Sequence, residues 1–113
     1  MSSNRDAATL LDIAKAARKV LEFKQDINKA AFLEDANTPS AIVYQLLIIG
    51  EVVKRLPQDF RRQNPAIPWT LIAGMRDNLI HNYDNVDLEE VWKTAKQDIL
   101  ALLALLEPLL PSN

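Results

Sequence analysis

The chain has no cysteine, only two glycines and a single histidine in 113 residues. Without thiols, disulfides and thiolate metal sites are excluded, and the redox compartment is left open. With 49% of its residues hydrophobic it is too apolar for disorder, and its richness in Leu, Ala and Ile is that of a compact helical protein. Positive charge is not in excess: 13 Lys and Arg against 15 Asp and Glu give a net charge of −2. That argues against a surface that coats nucleic acid, so any contact with RNA would be local. The longest apolar runs, AIVYQLLIIG and ILALLALLEPLL, fall short of the ~20 residues that span a bilayer. The start MSSNRDAATL lacks the basic and apolar regions of a signal peptide, so a cytoplasmic protein is expected. Gly-rich phosphate loops, nucleophile elbows and evident pairs of catalytic carboxylates are missing too.

What is present is helical periodicity, and the length suits a single domain over residues 1–113. A first helix is expected from Ser3, with Asp6 as a weak capping partner and Leu10, Ile13, Ala14, Ala17, Val20 and Leu21 on one face. FKQDINKAAFLED reads either as a bend or as a short second helix. ANTPS is a break, with Thr38 as N-cap and Pro39 as the first helical residue. From Pro39 to Leu56 an apolar stripe holds Ile42, Val43, Leu46, Ile49, Val53 and Leu56. Leu47, Ile48 and Val52 lie outside it, so this helix is either central or also covered by a partner chain. Gly50 sits on the stripe, where a missing side chain lets another backbone come close. Tyr44 and Glu51 share a side away from the stripe, where they line a cleft, form a buried pair or face solvent.

Pro57 opens a short element, and Pro68 starts a helix expected to carry Leu71, Ile72, Met75 and Leu79 inward and to fray at Asn82–Asn85. Asp87 and Glu90 cap the last helix, whose face comprises Leu88, Val91, Trp92, Ala95, Ile99, Leu102, Leu103 and Leu106, before Pro108 ends it. Trp69 and Trp92 read as core residues. Nothing alternates with period two, so the expected fold is all-α: an up-and-down antiparallel bundle of four main helices with one or two short ones.

The segment MRDNLIHNYDNVD gathers the remaining chemistry. With Leu71 at zero on a helical wheel, the expected core spans about 0–100°, Asp77 and His81 fall opposite at ~240° and ~280°, and Arg76 at ~140°. Arg76 and His81 would then flank an outer groove, with Asp77 between them at the i, i−4 spacing that lets a carboxylate hold an imidazole. Asp77 and Asn78 are the supporting candidates. An imidazole can move a proton at neutral pH, and a guanidinium offers a fork of donors to a phosphate. Together they suffice for metal-free cleavage of RNA, with Arg76 stabilising charge on the phosphorane. The plainer reading is a lone histidine interacting with a helix C-terminus. A metal site is disfavoured, because one histidine with Asp77 and Asp84 is a poor ligand set. Lys54, Arg55, Arg61 and Arg62 form the densest basic cluster, which Arg76 could join, though a solvated helix end explains the first four more simply.

At these residues IPWTLIAGMRDNLIHNYDNVDLEEVW closely resembles the signature region of the HepT-like family, a branch of the HEPN-domain proteins that carry an Arg-x4–6-His motif. Arg76, His81 and Tyr83 match its Arg-x4-His-x-Tyr form, and IVYQLLIIGEVVKRLP resembles the family's central helix with its Ile-Gly-Glu segment. The resemblance implies a helical homodimer with two Arg/His motifs facing one cleft, acting as a metal-independent ribonuclease toxin that needs no cofactor. It also implies an antitoxin partner, an MntA-like nucleotidyltransferase that silences the toxin by adding AMP to the motif tyrosine, here Tyr83. A non-catalytic alternative stays open: an accessory subunit of a nucleotidyltransferase, in which Arg76 and His81 only hold a nucleotide or the partner's surface.

Overall fold

The computed structural model describes residues 4–111, and all regular structure among them is helical. The Ser3 cap lies outside the described residues. Helix α1 (Asn4–Lys24) buries Leu10, Ile13, Ala14, Ala17 and Val20 along one face, the i, i+3, i+4 pattern of its sequence. Asp26 then turns the chain with φ of 65°, a left-handed conformation that a short polar side chain tolerates. The ambiguous segment that follows is a short helix, α2 (Lys29–Glu34), capped by Asn28, whose side chain accepts from the Ala31 N–H at 2.8 Å. Six residues cannot hold a helix by hydrogen bonds alone. Phe32, fully buried with its ring 5.1 Å from that of Trp92, ties α2 to the core.

Helix α3 (Asn37–Arg55) is the central element. Its cap is not Thr38. The carboxylate of Asp35 accepts from the Asn37 N–H at 2.7 Å and from the Thr38 hydroxyl at 2.8 Å. A charged acceptor reaching the first turn outcompetes a hydroxyl, because the helix N-terminus favours negative charge. These bonds, that from the Asn37 backbone foremost, hold the Asp35 carboxyl below its ordinary pKa. Val52, expected outside the stripe, is buried within the chain's own core, whereas Leu47 and Ile48 are only half-buried.

After α4 (Gln58–Gln63), Phe60 and Trp69 pack edge to face with centroids 6.3 Å apart, and the Trp69 indole N–H donates to the Asn64 carbonyl at 2.9 Å. Helix α5 (Trp69–His81) follows, and a 3-10 turn (Tyr83–Asn85) ends it among the asparagines. Its inward residues are Trp69, Ile72, Met75 and Leu79, while Leu71 is 75% exposed. The reason is phase: counting the large buried Trp69 as part of the face centres it at about 95° on the wheel, from which Arg76 lies only about 45° away. Arg76 is therefore not on the outer half of the helix.

The last rod runs without a break through α6 (Leu88–Lys93), a π-helical segment (Thr94–Asp98) and α7 (Ile99–Leu106), then a 3-10 turn at Glu107–Leu109 containing Pro108. Asp87 caps it, accepting from the Glu89 and Glu90 N–H groups. Val91, Trp92, Ala95, Ile99, Leu102, Leu103 and Leu106 are all buried. Arg18 meets Glu107 while Lys24 lies over Trp92, so α1 and the last rod are antiparallel. Among the described residues, four main helices and two short ones thus make the bundle the periodicity predicts. No helix among the described residues is long and apolar enough to cross a membrane.

Candidate active site

The site begins with a glycine. On α3, Gly50 faces α5 so closely that a Cβ there would overlap the Cβ of Arg76 and stand 2.7 Å from its Cγ. The stem of Arg76 therefore lies on the bare backbone of α3. Lys54 meets Asp77 near one end of this contact, and Leu47 and Val43 share a groove with Tyr83 and Val86 at the other, so the two helices are antiparallel. Sequence reading treats Gly50 as packing alone. It is packing, and what it packs is the motif arginine.

Two carboxylates then fix the guanidinium. Nη2 of Arg76 is 2.9 Å from Oε2 of Glu51, and Nη1 is 3.0 Å from Oδ1 of Asp77. The same Asp77 oxygen accepts from Nζ of Lys54 at 2.9 Å. The Arg76 side chain is 26% exposed, against 54% for Glu51 and 51% for Asp77. A half-sheltered cation thus sits under a more open acidic rim. Donation from Lys54, and then from Arg76, holds the Asp77 carboxyl below its ordinary pKa. The expected hold of Asp77 on His81 is absent, because two cations on the α3 side already engage that carboxylate.

His81 is the last residue of α5, exposed, and its side chain makes no hydrogen bond or ion pair among the described residues. It stands five helical steps on from Arg76, about 140° around the axis and about 7.5 Å along it. The structure therefore gathers Glu51, Lys54, Arg76 and Asp77 and leaves His81 apart at the helix end. Asn78 is exposed; its backbone carbonyl and side-chain oxygen accept from the Asn82 amide at 3.1 and 3.4 Å. Tyr83 is 79% exposed, on the rim of a groove it shares with Tyr44 and Leu47. Among the described residues no group of three or more His, Asp or Glu is placed to hold a metal ion. Of the basic cluster, Lys54 adjoins Arg76 through Asp77, whereas Arg62 pairs with Asp59.

Two expectations follow. Gly50→Ala should push α5 off α3 and destabilise the fold by about 1–2 kcal/mol in urea denaturation, overpacking outweighing alanine's better helix propensity; unchanged stability would contradict the close approach. Lys54→Met should raise the Asp77 pKa towards its ordinary value in a carboxyl NMR titration. A carboxylate with a depressed pKa stabilises the fold above its unfolded pKa and loses that effect as pH falls through the folded one. The Asp77 contribution should therefore fade at a higher pH in Lys54→Met than in the parent.

The family described as ribonuclease HepT-like matches residues 13–109. The chain is 46% identical over 100 residues to "Probable ribonuclease HepT" of Thermococcus cleftensis, covering 88% of this chain and 91% of that one. Two Methanocaldococcus jannaschii proteins whose names mark them as RNase candidates are also similar. MJ0125 is 40% identical over 81% of this chain and 79% of its own, and MJ0127 is 39% identical over 75% and 70%. No solved structure matches the chain. The chain belongs to the ribonuclease HepT-like family.

Proposed function

We propose that the protein is a metal-independent ribonuclease of the toxin type, with Arg76 as phosphate ligand and His81 as proton carrier. The observation that carries the reading is the contrast between them: Arg76 is seated on Gly50 and aimed by Glu51, while His81, five residues on, is free to meet a substrate. Family membership and the relatives' names support the same activity. In the reaction the 2′-hydroxyl attacks phosphorus and the P–O5′ bond breaks, leaving a cyclic phosphate and a 5′-hydroxyl. One proton leaves the nucleophile and one reaches the departing oxygen, and Arg76 balances the charge that builds on the phosphorane.

Each chain has one histidine for those two transfers, and its arginine lies well around the helix from it. A homodimer removes both difficulties, because a two-fold axis brings a second histidine and lets one chain's arginine serve beside its partner's. Half-buried Leu47 and Ile48, with exposed Tyr44 and Ile80, offer an apolar face on the Arg76 side for that contact. Regulation would fall to Tyr83, whose hydroxyl is open to AMP transfer by an MntA-like nucleotidyltransferase antitoxin; the added charge and bulk would block phosphate approach.

One feature favours the other reading, an accessory subunit of a nucleotidyltransferase: the two carboxylates on Arg76 already counter its charge. The assays separate the two. Purified protein should cleave RNA in EDTA, and His81→Ala should slow cleavage about 10²–10⁴-fold with the helical spectrum unchanged; cleavage indifferent to that substitution would refute the assignment. Incubation with the partner and ATP should add the mass of AMP to the parent but not to Tyr83→Phe, and an equal mass gain in both would move the modification elsewhere.

A further inference from the structure

The flank of α5 away from Gly50 borders a groove of about 600 Å³ that runs to α6, a size within the roughly 300–1,000 Å³ of small-molecule clefts. Leu46, Met75 and Leu79 contribute to its apolar floor. Its rim carries amides, hydroxyls and carboxylates, and no Lys, Arg or His lines it. Gly74 also faces this space. A Cβ added to Gly74 meets nothing within 4 Å, and its φ is not positive. Neither packing nor backbone conformation in the chain requires a glycine here, in mid-helix, where glycine weakens the helix. Gly50 shows what a required glycine looks like; Gly74 instead keeps open a space that the chain itself does not fill.

We infer that this groove receives a nucleobase of the RNA and sets base preference next to the scissile phosphate, an inference that rests on the ribonuclease reading above. The lack of cations excludes phosphate from the groove and leaves it to Arg76. The Asn82 amide donates to Asn78, which leaves the Asn82 carbonyl as an acceptor and the Asn78 amide as a donor, one turn apart on one side of the helix. That is the complement of a base edge bearing a donor beside an acceptor. Glu90, without an ion-pair partner among the described residues, adds an acceptor for an exocyclic amine. Adenine, cytosine and guanine carry such an amine and uracil does not. Asn78 and Asn82 bracket His81 in sequence, so a nucleotide whose phosphate meets His81 has its base within reach of both. A second copy docked here by a two-fold contact would press one acidic rim, Asp87 and Glu90, against another.

The test uses the 113-residue chain and two measurements. Oligoribonucleotides differing in one base beside the cleavage site should show a preference in kcat/KM on the order of tenfold for amine-bearing bases over uracil. Gly74→Leu, which fills the groove from a position that touches nothing, should shrink that ratio to within about twofold while the uracil substrate is still cut. Separately, adenosine and cytidine, but not uridine or inorganic phosphate, should shift the Asn78 and Asn82 side-chain amide resonances of the parent and not of Gly74→Leu. A base preference unchanged in Gly74→Leu, or no nucleoside shift in the parent, overturns the inference while leaving the ribonuclease reading intact. Nucleoside shifts in a protein that cuts no RNA would sustain the base site and remove the ribonuclease reading. A change of dimer mass in Gly74→Leu by light scattering would assign the groove to a chain–chain contact and overturn the inference.

Discussion

Arg76 is the residue on which the geometry of the site depends, and Gly50 is what allows it to be there. Where α3 and α5 cross, the arginine stem occupies the volume that any other side chain at position 50 would take. The crossing fixes the register of two antiparallel helices, which in turn sets Glu51 and Lys54 opposite Arg76 and Asp77. Because α3 also buries Ile42, Leu46, Ile49 and Val53, that register is anchored in the core of the bundle. The electrostatics follow from the packing. Both carboxylates on Arg76 are about half exposed, so water screens their hold on it. They orient the guanidinium without locking its charge away, and a phosphate that brings more negative charge and better bidentate geometry can displace them.

Most of the bundle is legible in the sequence because its determinants are local. The face of the last rod, from Val91 to Leu106, can be counted off at helical spacing, and Asp87 announces its start by standing three residues before Glu90. The errors share one cause, which is that tertiary context decides between local candidates of similar merit. Thr38 and Asp35 could both cap α3; the carboxylate wins on charge. Leu71 and Trp69 could both open the inward face of α5. The bulkier tryptophan wins because it fills the space beside Phe60 and satisfies its N–H on Asn64, and the whole helix rotates accordingly.

That rotation changes the site more than the fold. With Leu71 inward, Arg76 and His81 share an outer groove; with Trp69 inward, Arg76 turns towards α3 and the two part company. Asp77 shows the same effect, since its spacing to His81 is right but Lys54 from the neighbouring helix claims it first. Spacing along one helix identifies which residues are near each other in sequence space. It does not identify what the next helix brings, and Glu51 and Gly50 could enter the site only through that neighbour. The signals available in advance are Gly50, on a stripe that must meet something, and Glu51 beside it, on a side where lining a cleft is one of the readings.

The separation of Arg76 from His81 also bears on how such a protein could be silenced. On the proposed reading the cleft is assembled from two chains, so anything that disturbs their contact disarms both motifs together. On that reading Tyr83 would serve this end. Although it follows His81 by two residues, the groove it borders belongs to the other side of α5, with Tyr44 and Leu47 of α3. A nucleotide added to its hydroxyl would lie along the face where Leu47, Ile48 and Ile80 are available to a second chain. Its phosphate would stand among apolar side chains that a dimer would bury, which is costly for a charge. The same phosphate would also compete for the guanidinium that Glu51 and Asp77 present. On that reading one modification would act both on the contact and on the charge, because Tyr83 shares its groove with Tyr44 and Leu47 on the Arg76 side of α5.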